Sequence, residues 1–233
     1  MIPIARGALP AVASRRLATL EAEVARGGED LDIEKVWSRL SGEARLQVQE
    51  TLRSMCSGIE RCMYCEDSQG TDIEHFWPKK PYPEKAFRWS NYLMACSYCN
   101  SNQKRDVFPV VDGAPGVIDP SIDDPFEHLS FTPSTGFYTP LTLVGERSIR
   151  LFGLNRSVCA RGRKNAWDGL CILFEVYGEK TATQQDAMLR VISEYPFQGV
   201  RRWVRIIAER SSSEHLIGRG VRDAIAAYPE LVG

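Results

Sequence analysis

The sequence has no long apolar run. Nothing in its 233 residues approaches the roughly 18 consecutive apolar residues that a membrane-spanning helix needs. The opening stretch is interrupted by Arg6, Arg15 and Arg16 and lacks the apolar core of a secretory signal. Together these absences predict a cytoplasmic protein without a membrane partner. There is no internal repeat, no low-complexity linker, and no helix-turn-helix or zinc-finger pattern for reading base sequence. Net charge is also nearly absent, with 29 basic residues against 30 acidic ones. Histidine is scarce, at three residues, so each one bears on any search for a catalytic base.

The balanced total conceals a polarity. Residues 107–146 carry Asp112, Asp119, Asp123, Asp124, Glu127 and Glu146 and no Lys or Arg, whereas Arg147 to Lys164 holds six basic residues and no acid. Arg156, Arg161, Arg163 and Lys164 are therefore candidate nucleic-acid contacts. The acidic stretch, with prolines at 109, 115, 120, 125, 133 and 140, reads as a long loop and a candidate docking surface.

Cysteine is plentiful, at seven residues, in a compartment expected to keep thiols reduced. Four form two C-x-x-C pairs, Cys62/Cys65 and Cys96/Cys99, while Cys56, Cys159 and Cys171 stand alone in helical stretches and read as small apolar core residues. Two such knuckles supply four thiolates to one tetrahedral structural zinc. The 30 residues between Cys65 and Cys96 exceed a plain zinc ribbon, so the clamp holds something between its jaws. That segment contains Asp72-Ile73-Glu74-His75 and Asn91, and Asn100 follows the last cysteine. The Glu74 carboxylate and Asn100 amide oxygen suit a hard cation such as Mg2+, with Asp72 as a substitute carboxylate. His75, oriented by Asn91, would be a competent general base.

Helical periodicity and capping signals predict helices over 13–26, 32–40, 41–57, 146–152, 156–178, 181–194, 198–210 and 212–227, with a hairpin around Ser134-Thr135-Gly136. The expected class is α+β, mainly α. Four segments follow: N-terminal helices (1–59), the cysteine-bounded core (60–106), an acidic loop and hairpin (107–145), and a basic helical region (146–233), packed as one integrated domain.

The run C-x-Y-C, D-I-E-H-F-x-P-K, W-x-N-Y, A-C-x-x-C-N-x-x-K resembles the HNH endonuclease superfamily in its four-cysteine form. The resemblance implies a ββα-metal core, with His75, Asn91 and Asn100 at the three signature positions. His75 would deprotonate the attacking water, Glu74 and Asn100 would hold a catalytic Mg2+ or Mn2+, and Asn91 would fix the loop. Cys62, Cys65, Cys96 and Cys99 would be structural, and Lys104 would meet a phosphate of DNA. Two departures are a Glu where Asp is common, at Glu74, and an Asn in place of the last His, at Asn100. Shorter flanking motifs, I-x-R-G at Ile4–Gly7, I-D-P-S-x-D-D-P at Ile118–Pro125 and F-G-L-N-R at Phe152–Arg156, resemble the small HNH subunits of Septu-type and retron-associated anti-phage systems. That implies an ATPase subunit as partner. Two alternatives stand beside this reading: a zinc-stabilised nucleic-acid or protein binding module without hydrolytic activity, and a nuclease directed at RNA.

Overall fold

The computed structural model describes residues 1–28, 31–210 and 214–233. It is mainly helical, with three two-stranded antiparallel sheets among the described residues. Helix α1 (Ala11–Arg26) packs along α3 (Gly42–Ser54), with the short α2 (Ile33–Trp37) between them in sequence. Each buries an apolar stripe at helical spacing, Leu17, Leu20 and Val24 on α1 and Ala44, Val48 and Leu52 on α3. The Asp32 carboxylate accepts from the amides of Glu34 and Lys35 and so starts α2. Both α2 and α3 stop a few residues earlier than the periodicity predicts.

Strand β1 (Asp72–His75) pairs with β2 (Tyr92–Ala95), placing His75 opposite Tyr92 and Glu74 opposite Leu93. All four residues of β2 are buried, in a strand packed against α3, so β2 carries an unbroken apolar run rather than an alternating one. A single π-helical turn, Tyr98–Lys104, follows. Beyond it β3 (Val110–Val111) and β4 (Ala114–Pro115) form a small hairpin absent from the sequence expectation. Its turn residues Asp112 and Gly113 both have positive φ, as Asp-Gly hairpin turns require. A one-turn helix α4 (Pro125–His128) leads into β5 (Leu129–Thr132) and β6 (Phe137–Pro140), the expected hairpin. Its Gly136, at φ +73°, faces a helix so closely that an added Cβ would lie 1.9 Å from the Ala160 carbonyl oxygen.

Helices α5 (Leu143–Leu151), α6 (Ser157–Tyr177), α7 (Ala182–Glu194) and α8 (Gln198–Ala208) lie near their expected positions. A Thr181/Gln184 capping box starts α7. The helix expected over 212–227 is instead two, α9 (Glu214–Ile217) and α10 (Arg219–Ala227), because Gly218 at φ +78° breaks it. Positions 212 and 213 of that expectation lie outside the described residues. One cluster of buried apolar residues runs from the N-terminal helices through the cysteine segment into α6, α8 and α10.

Candidate functional site

The sulfurs of Cys62, Cys65, Cys96 and Cys99 all lie within 4.8 Å of one another and are buried. Cys65 Sγ and Cys96 Sγ are 3.9 Å apart. A tetrahedron of zinc–sulfur bonds near 2.3 Å has edges of about 3.8 Å, so the cluster is compatible with a structural zinc site. Local backbone bonds shape it. The Glu66 amide donates to the Cys62 carbonyl at 2.9 Å, closing the first knuckle, and the Asn100 amide donates to the Cys96 carbonyl at 3.0 Å, closing the second. Burial pushes the Cys62 thiol well up, a penalty that a bound cation reverses by favouring the thiolate.

The flanking motifs converge on this cluster. Arg6 donates to the carbonyls of Trp89 (3.0 Å) and Tyr92 (2.8 Å) and to Ser121 Oγ (2.6 Å), joining the first and second motifs to β2. Phe152 stacks on Tyr64 between the first two cysteines, centroids 4.0 Å apart, a contact worth about 0.5–1.5 kcal/mol beyond its burial. Arg156, expected at a nucleic-acid surface, lies over the Tyr98 ring at 4.4 Å and 3.8 Å from Asp67. It is also the N-cap residue, immediately before α6. The guanidinium thus sits beside both knuckles, where a zinc bound by four thiolates would carry net negative charge.

Beside the cluster lies a cleft of about 310 Å³ lined by Glu74, His75 and Asn100 together with Trp37, Lys79, Lys80 and Arg105. His75, at the end of β1, is held edge-on by Trp37 (centroids 4.4 Å) and Tyr92 (5.2 Å). Its Nε2 lies 3.0 Å from the Ala86 carbonyl oxygen. A carbonyl only accepts, so Nε2 carries the proton and Nδ1 keeps its lone pair. Burial, with Lys79 nearby, pushes the imidazole down to about 3, so it is neutral near pH 7. Asn100 donates through Nδ2 to Asp72 Oδ2 at 3.1 Å, which leaves its amide oxygen available to the cleft. Glu74 and Asn100 therefore offer the oxygen donors that a hard cation takes.

Asn91 acts on the backbone beyond His75, as a loop-fixing residue would, and makes no hydrogen bond to the His75 ring. Its amide clasps the backbone of Trp77 from both sides (2.7 and 3.0 Å) and the Lys85 carbonyl (3.0 Å), closing the loop between β1 and β2. Its own carbonyl receives the Phe76 amide at 2.9 Å. It thus fixes the segment one residue beyond His75.

Lys104 is likewise turned inward, not out to a phosphate. Its ammonium is fully buried, 2.6 Å from Glu74 Oε1 and 2.7 Å from the His75 carbonyl oxygen. Burial pushes the Glu74 carboxyl up, and Lys104 opposes that shift. Arg163 is internal too. It donates to the Gly136 and Leu154 carbonyls, both at 2.7 Å, and packs on Tyr138 at 4.2 Å. Of the four candidate cations around the start of α6, Arg161 alone is exposed, and Lys164 pairs with Asp168 at 2.5 Å. The acidic stretch is partly internal as well: Asp119 is buried, and Asp124 caps α4 while pairing with Arg202 at 2.5 Å.

A scan against known protein families finds no match for this chain. Among curated proteins, the chain is similar to the Septu protein PtuB of Bacillus thuringiensis. The two are 31% identical over 79 residues, covering 30% of this chain and 27% of that protein. The similarity thus spans about a quarter of that relative's length.

Three cleft cations have no role assigned from the sequence: Lys79, Lys80 and Arg105. The first two sit in a P-K-K run directly after His75-Phe76-Trp77, and that adjacency is the available signal. Glu34, which comes from α2 and pairs with Lys79 at 3.3 Å and Lys80 at 3.9 Å, had none. No helix among the described residues is long and apolar enough to cross a membrane.

Proposed function

We propose that this chain is a metal-dependent endonuclease of the HNH type, acting on DNA as the effector of an ATPase-regulated anti-phage defence complex in the cytoplasm. The observation that carries the reading is the single cleft lined by Glu74, His75 and Asn100 beside a four-cysteine cluster. The antiparallel β1–β2 pair followed by a helical turn supports a ββα-metal arrangement, and the similarity to a Septu protein supports the defence role.

In this reading Cys62, Cys65, Cys96 and Cys99 hold a structural zinc that stiffens the strand pair. Glu74 and Asn100 hold Mg2+ or Mn2+ at the scissile phosphate, with Asp72 as the neighbouring carboxylate. The divalent cation, when bound, neutralises charge that develops on the phosphate oxygens. His75, neutral and tethered through Nε2, takes the proton of the attacking water at Nδ1. Asn91 keeps the loop after His75 in place. Arg161 and Lys164 extend the phosphate contacts along α6, and an ATPase subunit restrains the nuclease.

Plasmid cleavage by the purified chain in Mg2+, alone and with the co-purified ATPase with or without ATP, tests this. His75→Ala should lower the rate roughly 10²–10⁴-fold while the protein stays folded. Wild-type rates from His75→Ala would end the assignment. The alternative, a zinc-stabilised binding module, is favoured by the Glu74–Lys104 pair, which satisfies the carboxylate internally. That alternative expects DNA or protein binding and no cleavage under any nucleotide condition.

A further inference from the structure

We propose that Arg105, with Lys79 across the cleft, forms an anion subsite that grips a backbone phosphate of the nucleic acid next to the reacting one. The inference rests on the nuclease reading and names how that site holds its substrate. It begins with a backbone conformation. Lys104 to Val107 form a tight turn, closed by the Val107 amide donating to the Lys104 carbonyl at 2.9 Å. Arg105 is its first central residue, at φ 49° and ψ −127°. Those angles define a turn whose first central position belongs to glycine, because any Cβ there is crowded by the backbone. A long cationic side chain sits instead where glycine would relieve the strain.

Strain of this kind persists where the side chain has a use, and the surroundings indicate which. Arg105 lines the same cleft as His75 and Asn100. The turn follows directly on the π-helical turn that carries Asn100, and the Arg105 amide donates back to the Asn100 carbonyl at 2.8 Å. The placement of Arg105 and of Asn100 is therefore one geometric unit. The Arg105 side chain is exposed, and its Nε is steadied by the Ser101 carbonyl at 3.1 Å. Among the described residues it forms no ion pair. A guanidinium held by its Nε keeps its two terminal nitrogens for a bidentate phosphate contact. Lys79 is near enough to His75 to influence it electrostatically. At present Lys79 and Lys80 share Glu34, an exposed partner that an incoming phosphate can replace.

The test separates a ligand-binding arginine from a merely tolerated one. A short fluorescent DNA duplex is titrated by anisotropy, without magnesium and on a His75→Ala background so that nothing is cut. Arg105→Gly should weaken binding roughly tenfold, a scale set by one charge-assisted contact, and lower the log–log salt slope by about 0.9. The same substitution should raise Tm by about 2 °C, since it relieves the strained turn. Arg105→Lys, which loses the fork, should weaken binding without the thermal gain. Glu34→Gln should strengthen binding by freeing the two lysines. A Tm gain with unchanged affinity and slope would overturn the subsite, as would failure of the duplex to bind at all. Plasmid cleavage by the wild-type chain is scored separately. Binding lost with Arg105→Gly, in a chain that never cleaves, would uphold the subsite and remove the nuclease reading.

Discussion

Replacing Lys104 with methionine probes the joint between the cysteine cluster and the candidate catalytic strand. The Lys104 and Glu74 side chains are 0% and 4% exposed and 2.6 Å apart, so neither charge has water to fall back on. Removing one partner of such a pair costs about 3–5 kcal/mol, mostly from the charge left behind. The lost bond to the His75 carbonyl oxygen adds about 1 kcal/mol. Against a total stability of about 5–15 kcal/mol, Lys104→Met should show a clearly lowered midpoint in urea. Glu74→Gln on the same background removes the stranded charge, so the double variant should be more stable than Lys104→Met alone. The coupling between the two positions should reach about 2 kcal/mol. A Lys104→Met protein within about 1 kcal/mol of wild type, or strictly additive effects, would refute the reasoning and leave the pair as incidental.

The remaining predictions concern the metal cluster and the basic helix. Chelating zinc from the purified protein, or changing Cys99 to serine, should release about one zinc per chain and cost more than the fold can bear. Structural zinc contributes about 10 kcal/mol or more, and loss of near-UV circular dichroism with zinc release by dye assay would report it. Arg163→Met should destabilise by about 3 kcal/mol or more, because two buried carbonyls lose their donor. Arg161→Gln, on the exposed face of the same helix, should stay within about 0.5 kcal/mol of wild type and lower the salt slope of duplex binding by about 0.9. The opposite assignment in urea and anisotropy measurements would show that charge on α6 serves another surface.

The parts legible in the sequence were those decided by neighbours along the chain. Helices α1, α6, α7 and α8 follow apolar spacing, and Asp32 caps α2 as its side chain predicts. The β5–β6 hairpin followed from its alternating runs and Gly136, and the four cysteines follow from knuckle spacing. Local signals were also missed. Asp112-Gly113 between short apolar runs marks a hairpin by the same turn chemistry, and Gly218 marks the break between α9 and α10. The π-helical turn at Tyr98–Lys104 had no such signal, since its i to i−5 bond from Arg105 to Asn100 depends on how the chain leaves the cluster.

The direction of charged side chains was the least legible feature, and Lys104 and Arg163 show why. Composition registers that a cation is present; whether it faces water depends on what the fold brings beside it. Glu74 and Lys104 are 30 positions apart and meet only because the two knuckles close on each other and draw the π-helical turn under β1. Arg163 turns inward because the turn before β6 and the loop before α6 bring the carbonyls of Gly136 and Leu154 within reach of one planar guanidinium. The same closure brings Arg105 to the cleft, where a sequence reading sees only one more basic residue after Lys104. A cluster that shapes the local backbone therefore also sorts the cations: Lys104 becomes internal structure, Arg156 is seated over Tyr98 beside Asp67, and Arg105 is a group left facing the cleft. If zinc performs that sorting, its removal should expose Lys104 to amine-reactive labelling before the helices α6 to α8 unfold. Labelling of Lys104 only at global unfolding would mean that packing, not the metal, holds it inside.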